Sequence, residues 1–214
     1  MTKRGLFVVF EGIDGSGKNF QLHNLEKRIE ELNKWQDVLR THEPWKSSEI
    51  KRKLETERDA YSGAAEIAEL YIEDRASHTQ RLVRPTLEAG SVVLCSRYTM
   101  STCAYQWAQG LNLPELMKMH EHRGILIPDL TIFLDVLPEV ADQRRGVRIT
   151  GSLEKFEQNP IFIDKLINAY KALIHMSEVD QSIFGKIAVI DGNREADSVA
   201  NDVYQEFLRI YRPS

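Results

Sequence analysis

The chain has 214 residues, 42% of them hydrophobic, with a formal net charge of −4 at pH 7. That is enough apolar material for one core, which predicts a single domain over 1–214, and the acidic balance gives no global attraction to nucleic acid. No apolar run reaches the roughly eighteen residues of a membrane span, and Met1-Thr-Lys-Arg-Gly running straight into the first strand predicts neither a span nor a signal peptide.

Phe7 to Phe10 is an unbroken apolar run, too short and too rich in Val and Phe for a helix, and predicts a buried strand. Gly12-Ile-Asp-Gly-Ser-Gly17-Lys18 follows and fits the phosphate-loop pattern of Gly, four residues, Gly and Lys. Its glycines, Gly12, Gly15 and Gly17, permit the positive φ that turns successive N–H groups inward onto phosphates. The next helix offers its positive N-terminal end, and Lys18 a mobile charge. The plain alternative is a glycine-rich turn that binds nothing.

Lys18 to Asn33 places Phe20, Leu22, Leu25, Ile29 and Leu32 near helical spacing. Asp37 to Thr41 predicts a short strand ended by Thr41-His-Glu-Pro44, and Ser47 to Glu57 a charged, exposed helix. Ala64 to Ala89 is a long helical pattern interrupted near Pro85, and Ser91 to Cys95 a buried strand. Ser101 to Gln109 and Pro114 to Arg123 predict helices, and Leu130 to Val136 a further apolar strand. Glu139 to Val147 starts a helix that enters the basic stretch Arg144 to Gly151. Ile161 to Val179 reads as helix, Ile187 to Ile190 as strand and Glu195 to Tyr211 as a closing helix.

Strands alternating with helices predict an α/β fold with a parallel sheet covered on both faces and ligands at the strands' carboxyl ends. Each of those ends carries chemistry: Glu11-Gly12, His42-Glu43, Ser96-Arg97, Asp135 and Asp191. Arg97 is shaped to grip a phosphate through two parallel hydrogen bonds, or else forms a structural ion pair. Tyr71 and Arg75, four apart on one predicted helix, could stack on a flat base and bond its edge, or be core edge and surface. The basic stretch reads as a lid closing its arginines on a transferring phosphoryl group, against the plainer reading of a solvated loop. Asp135 could hold a metal or cap the next helix. The six histidines show no metal spacing. Cys95 and Cys103 follow neither a metal nor a disulfide pattern and read as packing residues of a reducing, cytoplasmic compartment.

Together these segments resemble the thymidylate kinase family of nucleoside monophosphate kinases over nearly the whole chain. The matches are Phe10-Glu-Gly-Ile-Asp-Gly-Ser-Gly-Lys18, Thr41-His-Glu-Pro44, Leu70-Tyr-Ile-Glu-Asp-Arg75, Arg97-Tyr-Thr-Met-Ser-Thr-Cys-Ala-Tyr-Gln106, Pro128-Asp-Leu-Thr-Ile-Phe-Leu-Asp135 and Phe156-Glu157. The resemblance implies a P-loop NTPase-type three-layer α/β/α fold with a five-stranded parallel sheet and a short lid at about 144–157. It implies transfer of the γ-phosphoryl of ATP to dTMP, with Mg2+ as cofactor, by a homodimer. In that reading Gly12, Asp14, Gly15, Ser16, Gly17, Lys18, Asn19 and Arg144 bind ATP. Asp14 and Arg97 face the acceptor's sugar and phosphate, with Glu43 and Lys46 nearby; Tyr71 stacks on thymine, Arg75, Thr102 and Gln106 read its edges, and Tyr105 closes against the sugar. Lys18, Arg97, Arg145 and Arg148 are the expected catalytic residues, the last two as internal arginine fingers.

Four positions depart from the family pattern. Asn19 replaces the hydroxyl residue that would ligate magnesium and is the expected, weaker metal ligand. Ser96 stands where aspartate is usual, His42 where arginine is common, and Tyr71 where phenylalanine is usual. Lys46 is expected to supply the phosphate contact that His42 no longer gives. The alternatives are a kinase of another nucleoside monophosphate, suggested by His42 and Tyr71, and a degenerate nucleotide-binding relative, suggested by Asn19 and Ser96.

Overall fold

The computed structural model describes residues 4–56, 63–146, 159–179 and 183–212. The strands β1 (Phe7–Glu11), β2 (Val38–His42), β3 (Val92–Ser96), β4 (Leu130–Asp135) and β5 (Ile187–Asp191) form one sheet in the order β2-β3-β1-β4-β5. Every neighbouring pair is parallel. The helices are α1 (Lys18–Leu32), α2 (Ser48–Thr56), α3 (Ala64–His78), α4 (Arg84–Glu88), α5 (Thr99–Ala108), α6 (Leu113–His122), α7 (Pro138–Arg145), α8 (Pro160–Val179) and α9 (Ala196–Ile210). No helix among the described residues is long and apolar enough to cross a membrane.

The unbroken apolar character of β1 has a direct cause, because its alternate side chains serve two cores. Val8 and Phe10 pack with Leu22, Leu25 and Ile29 of α1 and Val203 and Phe207 of α9. Phe7 and Val9 pack with Val83, Leu87 and Tyr98. A third cluster joins Phe133 of β4 to α5 and to Leu166, Tyr170 and Leu173 of α8. The chain builds β2 and β3 on one side of β1 and then crosses to build β4 and β5 on the other. That reversal opens a crevice at the carboxyl end of β1, where a parallel sheet collects ligands.

Three local features differ from the sequence reading. The helix over Ser48–Thr56 is not simply exposed, since Ile50 and Leu54 are buried at helical spacing. The long helical pattern divides into α3, a wider π-helical turn at Thr79–Val83, and α4. Pro85 explains the change: it lacks an N–H and its ring would press on an α-helical carbonyl, whereas here Arg84 N already reaches back five residues to Thr79 O. Asp135 does not cap α7, whose N-cap is Leu137 with no side-chain cap; Leu137 N instead donates to Asn193 Oδ1 at 2.8 Å.

Candidate active site

The loop Gly12–Lys18 joins central β1 to α1. Gly15 has φ +84°, and a Cβ there would lie 2.4 Å from Ala141 O of α7, so both its conformation and its neighbour require glycine. Gly17, at φ +95°, is the N-cap of α1, and a Cβ on it would meet nothing within 4 Å. That open side, at the positive end of a fifteen-residue helix, is a surface an anion can approach. Lys18 is buried and spans the loop, donating to Gly12 O at 2.9 Å and Ile13 O at 2.8 Å. Its Nζ also lies 3.9 Å from Asp14 Oδ1. Ser16 Oγ is buried with no hydrogen-bond partner. Asn19 is exposed on the first turn of α1.

Arg97 follows β3 and, among the described residues, alone of the non-glycine residues has a positive φ, 65°. An L-residue in that region is disfavoured by about 1–2 kcal/mol, so surrounding bonds must hold it. Arg97 N donates to Phe10 O at 2.8 Å. Immediately after it, the buried Glu11 carboxylate accepts from Tyr98 N at 2.8 Å and Ser101 N at 3.1 Å, collecting the first amides of α5. Ser101 Oγ donates to Glu11 Oε2 and accepts from Arg97 Nη1 at 3.1 Å. The guanidinium also pairs with Asp14 and lies 5.3 Å from the centre of the Tyr105 ring. It thereby links the phosphate loop to the cleft beyond. Burial pushes the Glu11 carboxyl above its ordinary value, against the bonds from Ser101 and the charge of Arg97. For Asp14 burial pulls the same way, but Arg97 and Lys18 together outweigh it and hold the carboxyl below its ordinary value.

Beyond Arg97 lies an open cleft of about 490 Å³, continuous with solvent. Its wall includes Glu43, Tyr71, Arg75, Thr102, Tyr105 and Gln106, which come from three separate segments of the chain. Arg75 is 1% exposed, with Nε on Glu43 Oε2 at 2.7 Å, Nη2 on Thr102 Oγ1 at 2.9 Å and Nη1 on His120 Nε2 at 2.7 Å. Burial opposes its charge, but Glu43 outweighs burial. The other oxygen of Glu43 meets His78 Nδ1 at 3.0 Å, whose Nε2 lies 2.8 Å from Thr41 Oγ1. Gln106 donates through Nε2 to Gln109 Oε1 at 3.1 Å, which leaves its own buried Oε1 without a partner. Burial moves the Tyr71 hydroxyl up to about 12, so it stays protonated.

The structure thus gathers Asp14, Lys18 and Arg97 at one end and Glu43, Tyr71, Arg75, Thr102, Tyr105 and Gln106 at the other. Lys46 is exposed, with Nζ 4.3 Å from the centre of the Trp45 ring, and is not part of the cleft wall. Arg144 donates to Gly192 O at 2.9 Å, and Arg145 pairs with Asp142 while adding to the field on Asp14. Arg148, Phe156, Glu157 and most of the expected lid lie outside the described residues. Cys95 and Cys103 are buried and free, as packing residues should be. Sequence reasoning marked Glu11 only as chemistry at a strand end, and missed His78, Ser101 and His120 as site residues. For His120 a signal was present: it continues the buried stripe Leu113, Leu116 of α6, where a polar residue needs a partner.

A phosphate loop on the central strand of this sheet order, beside a cleft lined by buried arginines, defines a P-loop phosphotransferase acting on small nucleotides. The family model for thymidylate kinase matches residues 10–203. The chain is 37% identical to a thymidylate kinase of Ruegeria pomeroyi, covering 97% of each chain. It is 32% identical to a probable thymidylate kinase of Pyrococcus horikoshii over 94% of each. To a thymidylate kinase of Staphylococcus epidermidis it is also 32% identical, over 95% of this chain and 97% of that one. This chain belongs to the thymidylate kinase family.

Proposed function

We propose that the protein transfers the γ-phosphoryl of ATP to dTMP, giving dTDP and ADP. The observation that carries the base assignment is the pairing of a donor with an orphaned acceptor in one cleft. Arg75 uses three of its guanidinium's five N–H groups on protein acceptors, and Gln106, in the wall of the same cleft, has a buried Oε1 without a partner. A thymine edge offers the complement, O4 as acceptor and N3–H as donor. Cytosine and adenine present the reverse order. Guanine shares the pair, and so belongs among the acceptors to be tested. Leu54 and Ile67 give the cleft an apolar wall for the 5-methyl group.

Tyr71 would stack on the base and Tyr105 close on the sugar. Asp14 would lie near the sugar and Arg97 would take the acceptor phosphate, with Glu43 holding Arg75 in register. On the donor side, Gly12, Gly15, Ser16, Gly17 and Lys18 would cradle the ATP phosphates. Lys18 would exchange the carbonyls of Gly12 and Ile13 for phosphate oxygens, and Arg144 would lie along the nucleotide. A lid of residues about 144–157 would bring Arg145 and Arg148 to the transferring group. Catalysis is then positioning and charge neutralisation, with no covalent enzyme intermediate.

Among the described residues no group of three or more His, Cys, Asp or Glu side chains could hold a metal. We read a Mg2+ as carried mostly by the nucleotide phosphates and water, with the Asn19 carboxamide and Ser96 hydroxyl as neutral oxygen contacts. The ion would neutralise the β- and γ-phosphate oxygens. The family reading also carries a cytoplasmic homodimer, which light scattering after gel filtration tests for its stoichiometry.

The deciding experiment is ADP release with a panel of nucleoside monophosphates at millimolar magnesium. The expected result is the highest kcat/KM with dTMP. A higher value with another base, or no turnover with any acceptor, overturns the assignment.

A further inference from the structure

We propose that His120 is the positioning residue of Arg75: a neutral imidazole whose Nε2 lone pair fixes the guanidinium's plane in the cleft and so sharpens acceptor recognition. The inference rests on the function proposed above for what the cleft reads, but the role of the ring follows from its own contacts. His120 Nδ1 lies 2.7 Å from Leu116 O, one turn back on α6, and His120 Nε2 lies 2.7 Å from Arg75 Nη1. A carbonyl only accepts and a guanidinium only donates. Both contacts are satisfied by one form of the ring, the neutral tautomer with its hydrogen on Nδ1. A protonated ring would set N–H against N–H. Burial, and then the charge of Arg75, take His120 down to about 3, in keeping with that form.

The arrangement controls direction as well as charge. Arg75 is held at three corners, by Glu43, Thr102 and His120, and its carbon lies 5.0 Å from the centre of the Tyr98 ring. A planar fork tied at three corners cannot turn in its plane. A carboxylate in place of His120 would be a second anion on one cation and would weaken the pull of Arg75 on a base carbonyl. An apolar side chain would strand a buried N–H and let the fork tilt. A neutral acceptor avoids both.

The test compares His120→Phe, which keeps a ring but removes the lone pair, with His120→Gln, whose carbonyl can accept from Arg75. His120→Phe should raise the KM for dTMP about tenfold, with kcat and the KM for ATP within about twofold of wild type. His120→Gln should return the KM for dTMP to within about threefold. Equal losses for both substrates, or no recovery with Gln, would assign His120 to packing alone. Should His120→Phe fail to fold, 15N–1H NMR of the imidazole in the wild-type chain decides. The ring signal absent from His120→Gln should show hydrogen on Nδ1 and a bare Nε2 at about pH 7, unchanged at about pH 5.5. A hydrogen on Nε2 at either pH refutes the role. Wild-type turnover of dTMP is measured in parallel; its absence would overturn the kinase assignment while the NMR result still judged His120.

Discussion

The phosphate loop and the acceptor cleft lie side by side but are made of different material. The loop is main chain: glycine conformations, inward amides, a helix end, and one lysine resting on two carbonyls within six residues of it. The cleft is side chain, and its central residue, Arg75, finds partners 27, 32 and 45 positions away. A main-chain site can be rebuilt by any sequence that supplies the turns, and the loop keeps its turns and helix start with Asn19 in place. A side-chain site depends on each partner being present, and here Arg75, Thr102 and Gln106 all keep their places. Of the four departures from family pattern, Asn19, Ser96 and His42 fall where the proposed function handles metal and phosphate, and Tyr71 where it stacks the base.

The severest way to break the cleft is Glu43→Ala. It leaves Arg75 buried with no counter-charge and removes the acceptor facing His78, so urea unfolding at neutral pH should show a loss of about 3–5 kcal/mol. A loss below about 1 kcal/mol would mean that Glu43 is not what secures the cleft. The matching change in the loop, Lys18→Ala, should act on rate instead of stability. It is expected to lower kcat/KM for ATP about 10²–10³-fold, with an unfolding midpoint far closer to wild type than that of Glu43→Ala.

The departures themselves can be reversed. Asn19→Thr combined with Ser96→Asp should raise kcat about tenfold by restoring oxygen ligands, and should leave the KM for dTMP within about twofold because neither residue reads the base. A change in KM with no change in kcat would place the two positions on the wrong side of the site.

The two carboxylates at the junction should respond to pH with opposite slopes. Asp14, lowered from its ordinary 3.8, adds stability above that value and loses it as pH falls through its folded value. Glu11, raised from 4.5, gives its full contribution below that value and loses it as pH rises through its folded one. Glu11→Gln should therefore gain stability relative to wild type as pH is raised from about 5 to 7, by no more than about 1.4 kcal/mol per unit. Asp14→Asn should show its slope only below about pH 4. Parallel slopes would undo the distinction drawn between the two groups. The smallest expected effect belongs to Lys46→Ala. Its exposed amine over Trp45 can act on the acceptor phosphate only through a screened field, so the KM for dTMP should rise about two- to fourfold.

How much of this could be read from the chain follows the same division. The loop was legible because its determinants are contiguous: an apolar run, three glycines and a lysine in fixed order force strand, turn and helix by local sterics. Arg97 was legible as chemistry at a strand end, but its left-handed backbone was not, since nothing local in Ser96-Arg97-Tyr98 requires it. Its main-chain partner is Phe10 O on β1, and the residues after it are tied to Glu11, 90 positions from Ser101. Arg75 and Gln106 were expected to read a base, whereas His120 passed as one histidine among six. Its partner is on another helix, and helical periodicity alone does not say which face will meet an arginine.

The sequence by itself determined the alternation of strands and helices, the phosphate loop and the residue types at each strand end, because these depend on neighbours along the chain. Tertiary structure alone decided that Arg97 bridges loop and cleft through Asp14, that Glu43 is shared between Arg75 and His78, and that a neutral imidazole faces a guanidinium. The physical reason is that a buried charge or lone pair must be satisfied by whatever the fold brings within hydrogen-bond distance, and distance along the chain says nothing of that.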